Sequence, residues 1–357
     1  VIGNLRRYSL PLLFTLLAIG AFALREPALP DTPTRFGGYT MGTTYSVQYA
    51  GDLTPDASAA IESAVASLLA ELDKDIFSTY APDSELSRLN ASSETTVSLS
   101  APLFSVLSEA QRLAVATEGA FDVTVAPLVD LWGFGPGRHA LNAQVPREAD
   151  IIAARERVGF QQLVLDAEAG VITRPVGVAI DLSAIAKGYG VDAVATLLEG
   201  EGVTDYFIEV GGELRIAGHK DSSKRGWVPA IEAPTDGDSQ IYDKFFSRGE
   251  SLAVAGSGDY RNYFESDGLR YSHEIDPRSG QPIAHTLAAV YVIHASAMTA
   301  DALATAYMIL GPEEAFETAL AAGQAAYFIV RSGVGEAGVY EFSNRLTPAF
   351  ARFLQEG

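Results

Sequence analysis

Short strand-like and helix-like runs follow one another at uneven intervals along this chain, and that ordering limits its fold more than any other feature. Tyr45, Val47 and Tyr49 alternate with polar residues, the period of a half-buried strand. Thr54-Pro55 supplies an N-cap and a first-turn proline, and Ile61, Val65, Leu68, Leu69, Leu72 and Ile76 follow at helical spacing. Ser100 opens a second helix, with Leu103, Val106, Leu107, Ala110 and Leu113 on one face and Gly119 as its stop. Further helices are predicted at 146–158, 186–198 and 298–310, the last ended by Gly311-Pro312 and closely followed by another. Strands are predicted at 163–165, 178–182, 206–210, 214–216, 228–231, 252–255, 287–294 and 325–330. No clean βαβαβ rhythm runs through these elements. The pattern predicts an α+β fold, mostly antiparallel sheets with inserted helices. No repeat, low-complexity tract or composition shift divides residues 38–357, which read as a single catalytic unit with a cleft.

Composition removes whole classes of chemistry. The 357 residues include no cysteine, so a disulfide scaffold, a thiolate metal site and a cysteine nucleophile are excluded. Lys and Arg number 25 against 45 Asp and Glu, a net charge of −20. No basic run exists to bind phosphate backbones, which argues against a nucleic-acid partner. Residues 1–24 read as a signal peptide or signal anchor. Arg6-Arg7 precedes an apolar run from Leu10 to Leu24, and Ala21-Phe22-Ala23 offers a small-x-small cleavage pattern. That reading predicts an exported, periplasmic protein, with attachment to the inner membrane if the run is retained. Residues 25–37, with Pro27, Pro30 and Pro33, read as an extended linker.

Four groups of residues can carry chemistry. Glycines cluster in Asp181-Leu-Ser-Ala-Ile-Ala-Lys187-Gly188-Tyr-Gly190, in Gly211-Gly212 and in Gly256-Ser257-Gly258-Asp259-Tyr260. The first cluster leads into a helix, where free N–H groups favour an anion and Lys187 can add a charge-assisted contact; ordinary tight turns are the alternative. Asp301 and Thr305, at i and i+4, share one face of a predicted helix. Two hard oxygen ligands suit Mg2+, although a helix-start aspartate and a surface threonine would look the same. Of the five histidines, His273 precedes the polar turn Glu274-Ile-Asp-Pro-Arg-Ser-Gly280 and is the candidate general base. His294 lies in an apolar strand and reads as a satisfied core residue. Tyr80, Phe121 and Trp132 can stack on a planar ring or simply pack in the core.

Taken in order, these segments resemble the ApbE family of flavin transferases. The resemblance runs from Thr40 to Leu310. It rests on Met41-Gly-Thr-Thr-Tyr45, Ser78-Thr-Tyr80 through Ser84-Glu-Leu-Ser-Arg-Leu-Asn90, and Gly119-Ala-Phe-Asp122-Val-Thr. It continues through Asp181–Gly188, Gly211-Gly212, Ser257-Gly-Asp-Tyr260, His273–Gly280 and Thr299-Ala-Asp301-Ala-Leu-Ala-Thr305. Ser183 and Gly256 stand where glycine and threonine are common, and the absent cysteine departs from the many lipoprotein members.

The resemblance implies an enzyme that binds FAD with Mg2+ and transfers FMN to a threonine or serine hydroxyl of an acceptor protein. A phosphoester bond forms and AMP is released. Asp301, Thr305 and the carbonyl of Ala184 match the metal ligands, and His273 matches the proton acceptor. Met41, Tyr80, Ala120, Phe121, Asp122, Asp181, Lys187 and Ile275 match positions lining the FAD site. The acceptors it suggests are membrane redox-pump subunits carrying a flavinylation motif. The same site can serve a Mg2+-dependent FAD pyrophosphatase, if water attacks, or a flavin-binding protein with no activity.

Overall fold

The computed structural model describes residues 32–135, 144–235, 239–267, 269–334 and 340–355. Residues 1–24, read as signal or anchor, lie outside them. No helix among the described residues is long and apolar enough to cross a membrane.

An eight-stranded sheet runs in the order Thr34–Thr40, Thr43–Tyr49, Tyr206–Val210, Glu213–Ala217, Leu252–Gly258, Leu287–His294, Ala325–Val334 and Tyr340–Leu346. Every neighbouring pair in it is antiparallel. The expected α+β architecture is therefore present. The predicted strands at 206–210 and 287–294 have the same bounds in the structure, and that at 325–330 starts at the same residue. Long excursions between strands 43–49 and 206–210 bring in helices Pro55–Glu71, Ala101–Ala116 and Ala186–Gly200. Thr54 and Ser100 cap the first two through their side chains, as their positions predicted.

Alternation along the strands builds two packed layers. On one face Val47, Tyr49, Tyr206, Ile208 and Val210 meet Ile61, Val65, Val191, Val194 and Leu198. On the other, Ile216, Leu252, Val254 and Tyr327 meet Trp227, Phe245, Phe350 and Phe353. The helix Ala297–Leu310 is buried almost all round, and its alanines 300 and 304 pack against Ala255, Val290 and Val292. Small side chains let this helix lie close to the sheet.

Three sequence expectations are corrected. Residues 178–182 form no strand. Their backbone groups are taken by other partners: Asn90 bonds both the N–H and the carbonyl of Ile180, Arg174 bonds the Val178 carbonyl, and Asp181 N–H reaches the Val123 carbonyl. With those groups occupied, no ladder can form. The linker also ends early. Thr34–Gly37 pair in register with Ser46–Tyr49 and belong to the edge strand of the sheet. The helix expected at 146–158 is Glu148–Arg155.

Candidate active site

Two hairpin turns meet at one end of the central sheet. Met41-Gly42 and Gly211-Gly212 each close a two-residue loop, between Thr40 and Thr43 and between Val210 and Glu213. All four turn residues have positive φ, from 48° to 103°, as two-residue hairpins of this kind require. Gly211 also permits a close approach: a Cβ there would lie 2.7 Å from Thr43 Cγ2 and 3.1 Å from Lys187 Cδ. Beside these turns the chain opens a cleft of about 1750 Å3. Every residue expected at the site lines this cleft: Met41, Tyr80, Ala120, Phe121, Asp122, Asp181, Ala184, Lys187, His273, Ile275, Asp301 and Thr305. They arrive from six separate stretches of chain, so only the tertiary fold joins them.

Lys187, Glu213 and Asp301 form its charged floor. Lys187 Nζ lies 3.3 Å from Glu213 Oε1 and 3.8 Å from Asp301 Oδ1. Burial by itself would lower the ammonium; the two carboxylates reverse that and hold it above the ordinary lysine value, so Lys187 stays charged. Burial pushes the Asp301 and Glu213 carboxyls upward against the pull of Lys187. Asp301 Oδ2 also accepts the Gly188 N–H at 3.0 Å. The anion at the start of the Ala186–Gly200 helix is thus Asp301 itself, where the sequence had suggested a ligand phosphate. Gly188 is essential to this contact, since a Cβ there would sit 2.3 Å from the Ala297 carbonyl oxygen and force the two helices apart.

The floor suits a hard cation. Thr305 Oγ1 is 3.3 Å from Ser257 Oγ, and Glu213 Oε2 is buried with no hydrogen-bond partner. Asp301 and Glu213 beside the one ammonium, with the Thr305 hydroxyl and the Ala184 backbone lining the same cleft, offer the hard oxygen donors that Mg2+ takes. No group of three or more His, Asp or Glu able to hold a metal occurs among the described residues. The fit therefore rests on one carboxylate completed by hydroxyl and backbone oxygens.

The helix carrying Asp301 and Thr305 is anchored from outside. Asp192 accepts hydrogen bonds from Ser296 Oγ, Ala297 N–H and Met298 N–H at its first turn. Asp192→Ala leaves those donors unpaired at the positive end of the helix dipole. It is expected to destabilise the protein by about 1–2 kcal/mol, read as a lower midpoint in denaturant unfolding.

His273 lines the same cleft as the hairpin turns. Its backbone N–H and its Nδ1 both lie 3.0 Å from the Asn262 carbonyl oxygen. A carbonyl only accepts, so Nδ1 carries the hydrogen and Nε2 is left with its lone pair. The ring packs edge-on to Phe134 at 6.2 Å between centroids. After it, the Asp276–Gly280 turn closes through Gly280 N–H to the Asp276 carbonyl, and Trp132 Nε1 binds the Gly280 carbonyl at 2.9 Å.

Other residues settle differently from their sequence reading. Trp132 is buried in that contact and against Tyr271, away from the cleft. Asp122 lines the cleft, yet its carboxylate is consumed internally by Thr124 N–H, Thr124 Oγ1 and Phe160 N–H. Burial still raises its carboxyl. Tyr80 is 74% exposed on a turn that Ser78, Ser84 and Ser87 hold together, so its ring face is available. His294 is half-buried, and its Nδ1 accepts the Ser296 N–H, as a satisfied residue. Glu213, Glu274 and Asn262 were not singled out from sequence. Glu213 directly follows the Gly-Gly turn, which is a usable signal; Asn262 acts through its backbone, which leaves none.

The pattern shared with known proteins agrees with this geometry. The family model described as "ApbE family" matches residues 41–329. The chain belongs to the ApbE family. Among relatives, the FAD:protein FMN transferase of Vibrio cholerae is 39% identical over 330 residues, covering 92% of this chain and 94% of that one. Its counterpart from Haemophilus influenzae is 41% identical over 305 residues, covering 84% and 86%. Among solved structures, the flavin transferase ApbE from Vibrio cholerae superposes with a TM-score of 0.80 at 37% identity, over 91% of this chain and all of that one. The apo flavinyl transferase ApbE of Pseudomonas stutzeri gives 0.80 at 38%, over 93% and all. In this ApbE-family chain, the segments that carried the sequence resemblance are those that fold onto the cleft.

Proposed function

We propose that this chain is a Mg2+-dependent FAD:protein FMN transferase, moving FMN from FAD to a Thr or Ser hydroxyl of an acceptor protein and releasing AMP. One observation carries the reading: a histidine whose Nε2 is not hydrogen-bonded, and a floor of buried Asp301 with half-buried Lys187 and Thr305, face the same cleft. The exposed ring of Tyr80 offers a face for the flavin, and the Ala120-Phe121 loop an apolar wall.

The chemistry follows from what these residues can do. A Mg2+ held by Asp301, Thr305 and the Ala184 carbonyl would neutralise pyrophosphate charge as a Lewis acid. Lys187 adds a fixed positive charge beside it, which matters in a protein of net charge −20. His273 Nε2 takes the proton of the acceptor hydroxyl as its oxygen attacks the FMN phosphorus. The phosphorus–oxygen bond to AMP breaks and a phosphoester to the acceptor forms. The protein mainly positions the partners and stabilises charge, as phosphoryl transfer demands. The acceptors proposed are membrane redox-pump subunits. Export to the periplasm is proposed with them, on the basic pair and apolar run of residues 1–24.

The test is direct. Purified protein is incubated with FAD, Mg2+ and an acceptor carrying the motif Asp-x-x-Ser/Thr-Gly/Ser-Ala-Ser/Thr. Flavin fluorescence on the acceptor in a denaturing gel, with equimolar AMP, is the expected result. AMP without labelled acceptor would replace transfer by FAD hydrolysis. Neither product would reduce the function to flavin binding.

A further inference from the structure

We propose that Glu274 is a positioning residue for the transfer step: its buried carboxylate is the counter-ion that stabilises the His273 imidazolium as it forms. This rests on the transferase reading above. Glu274 Oε1 lies 3.7 Å from His273 Nε2, the nitrogen that the Asn262 carbonyl leaves free. The Glu274 residue is only 7% exposed and lines the cleft. Its backbone is pinned on both sides, N–H to Ser272 Oγ and carbonyl to Ile283 N–H, which fixes the base of the side chain beside the ring.

Its surroundings suit a group that responds to charge on the histidine. The ionisable groups that bear on it are His273, Asp259, Lys187 and Asp301. Asp259 is already neutralised by a two-bond pairing with Arg331, and Asp301 shares Lys187 with Glu213. That leaves His273 as the one nearby group whose charge changes during the reaction. Burial raises the Glu274 carboxyl, and positive charge on His273 opposes that, so the carboxylate and the imidazolium favour each other. When Nε2 accepts the hydroxyl proton, a positive charge appears 3.7 Å from a carboxylate that is itself buried, where the attraction is stronger than between two fully hydrated groups. The proton balance is simple: the acceptor O–H loses its proton, Nε2 gains it, and Glu274 stays paired with the resulting cation.

Glu274→Gln keeps the shape and removes the charge. Without the carboxylate the imidazolium is less favoured. The ring then remains unprotonated to lower pH and is a weaker base at every pH. Transfer rates would be measured from pH 5 to 9 at saturating FAD, Mg2+ and acceptor, with FAD affinity from flavin fluorescence. The expected result is a plateau about tenfold or more lower, part of the range general-base catalysis supplies. The acidic limb should move to lower pH by about half a unit or more, with FAD affinity within about threefold and partial recovery in Glu274→Asp. A plateau within twofold of wild type, or a lowered plateau whose acidic limb has not moved, overturns the inference while leaving the transferase reading intact. If the wild type itself releases AMP without labelling acceptor, the transferase reading fails and the inference falls with it.

Discussion

Replacing His273 with alanine is expected to reduce acceptor labelling by about 10²–10⁴-fold, the usual contribution of a positioned general base. FAD binding should change little. His273 reaches the cleft from the segment after Ser272, and the apolar wall and Lys187 floor come from other parts of the chain. Its Nδ1 is committed to the Asn262 carbonyl, so the ring leaves one nitrogen open to accept a proton and offers little binding surface. The measurement is a pair: FMN transfer by in-gel fluorescence, and FAD affinity by fluorescence quenching. A variant that loses both equally would make His273 a binding residue. His273→Gln discriminates further, since it restores a hydrogen bond to the carbonyl without restoring a base.

The second large effect is expected at Asp301. Asp301→Ala removes the one buried carboxylate that faces Lys187, Gly188 N–H and the Thr305 side of the cleft together. Loss of an outer-sphere partner of a metal ligand weakens metal affinity about 10–100-fold, and loss of the ligand itself should exceed that range. Mg2+ titrations followed by calorimetry in the presence of FAD should show the apparent affinity falling by more than about 100-fold, with transfer no longer reaching the wild-type rate at high Mg2+. An unchanged titration would remove Asp301 from the metal site. Treating the wild type with a chelator should abolish transfer, and added Mg2+ should restore it. Asp301→Asn is the informative companion. It keeps the oxygen facing Gly188 N–H but drops the charge, so it separates the helix contact from cation binding.

Much of this site was legible before folding. The i, i+4 spacing of Asp301 and Thr305, the polar turn after His273 and the glycine pairs are local signals, because a residue's period and turn chemistry are set by its own stretch of backbone. The caps at Thr54 and Ser100 were legible for the same reason. What sequence left out was charge whose meaning comes from distance. Glu213 is an ordinary strand-start acid until the hairpin carries it to 3.3 Å from Lys187, and Glu274 is one acid among 45 until the fold buries it 3.7 Å from His273 Nε2. Asp122 shows the reverse: a carboxylate that looks available is occupied by three donors, one of them 38 residues away.

Local pattern by itself determined the kind of fold, its antiparallel strands and helix starts, and the exclusion of thiol chemistry by the lack of cysteine. The tertiary structure decided which backbone groups were free to pair. Residues 178–182 have strand-like alternation, yet Asn90 and Arg174 bond their backbone and no ladder forms. It also decided which side chains lose water together. Hydrogen-bond satisfaction and desolvation depend on neighbours brought from distant parts of the chain, and no window of sequence contains them.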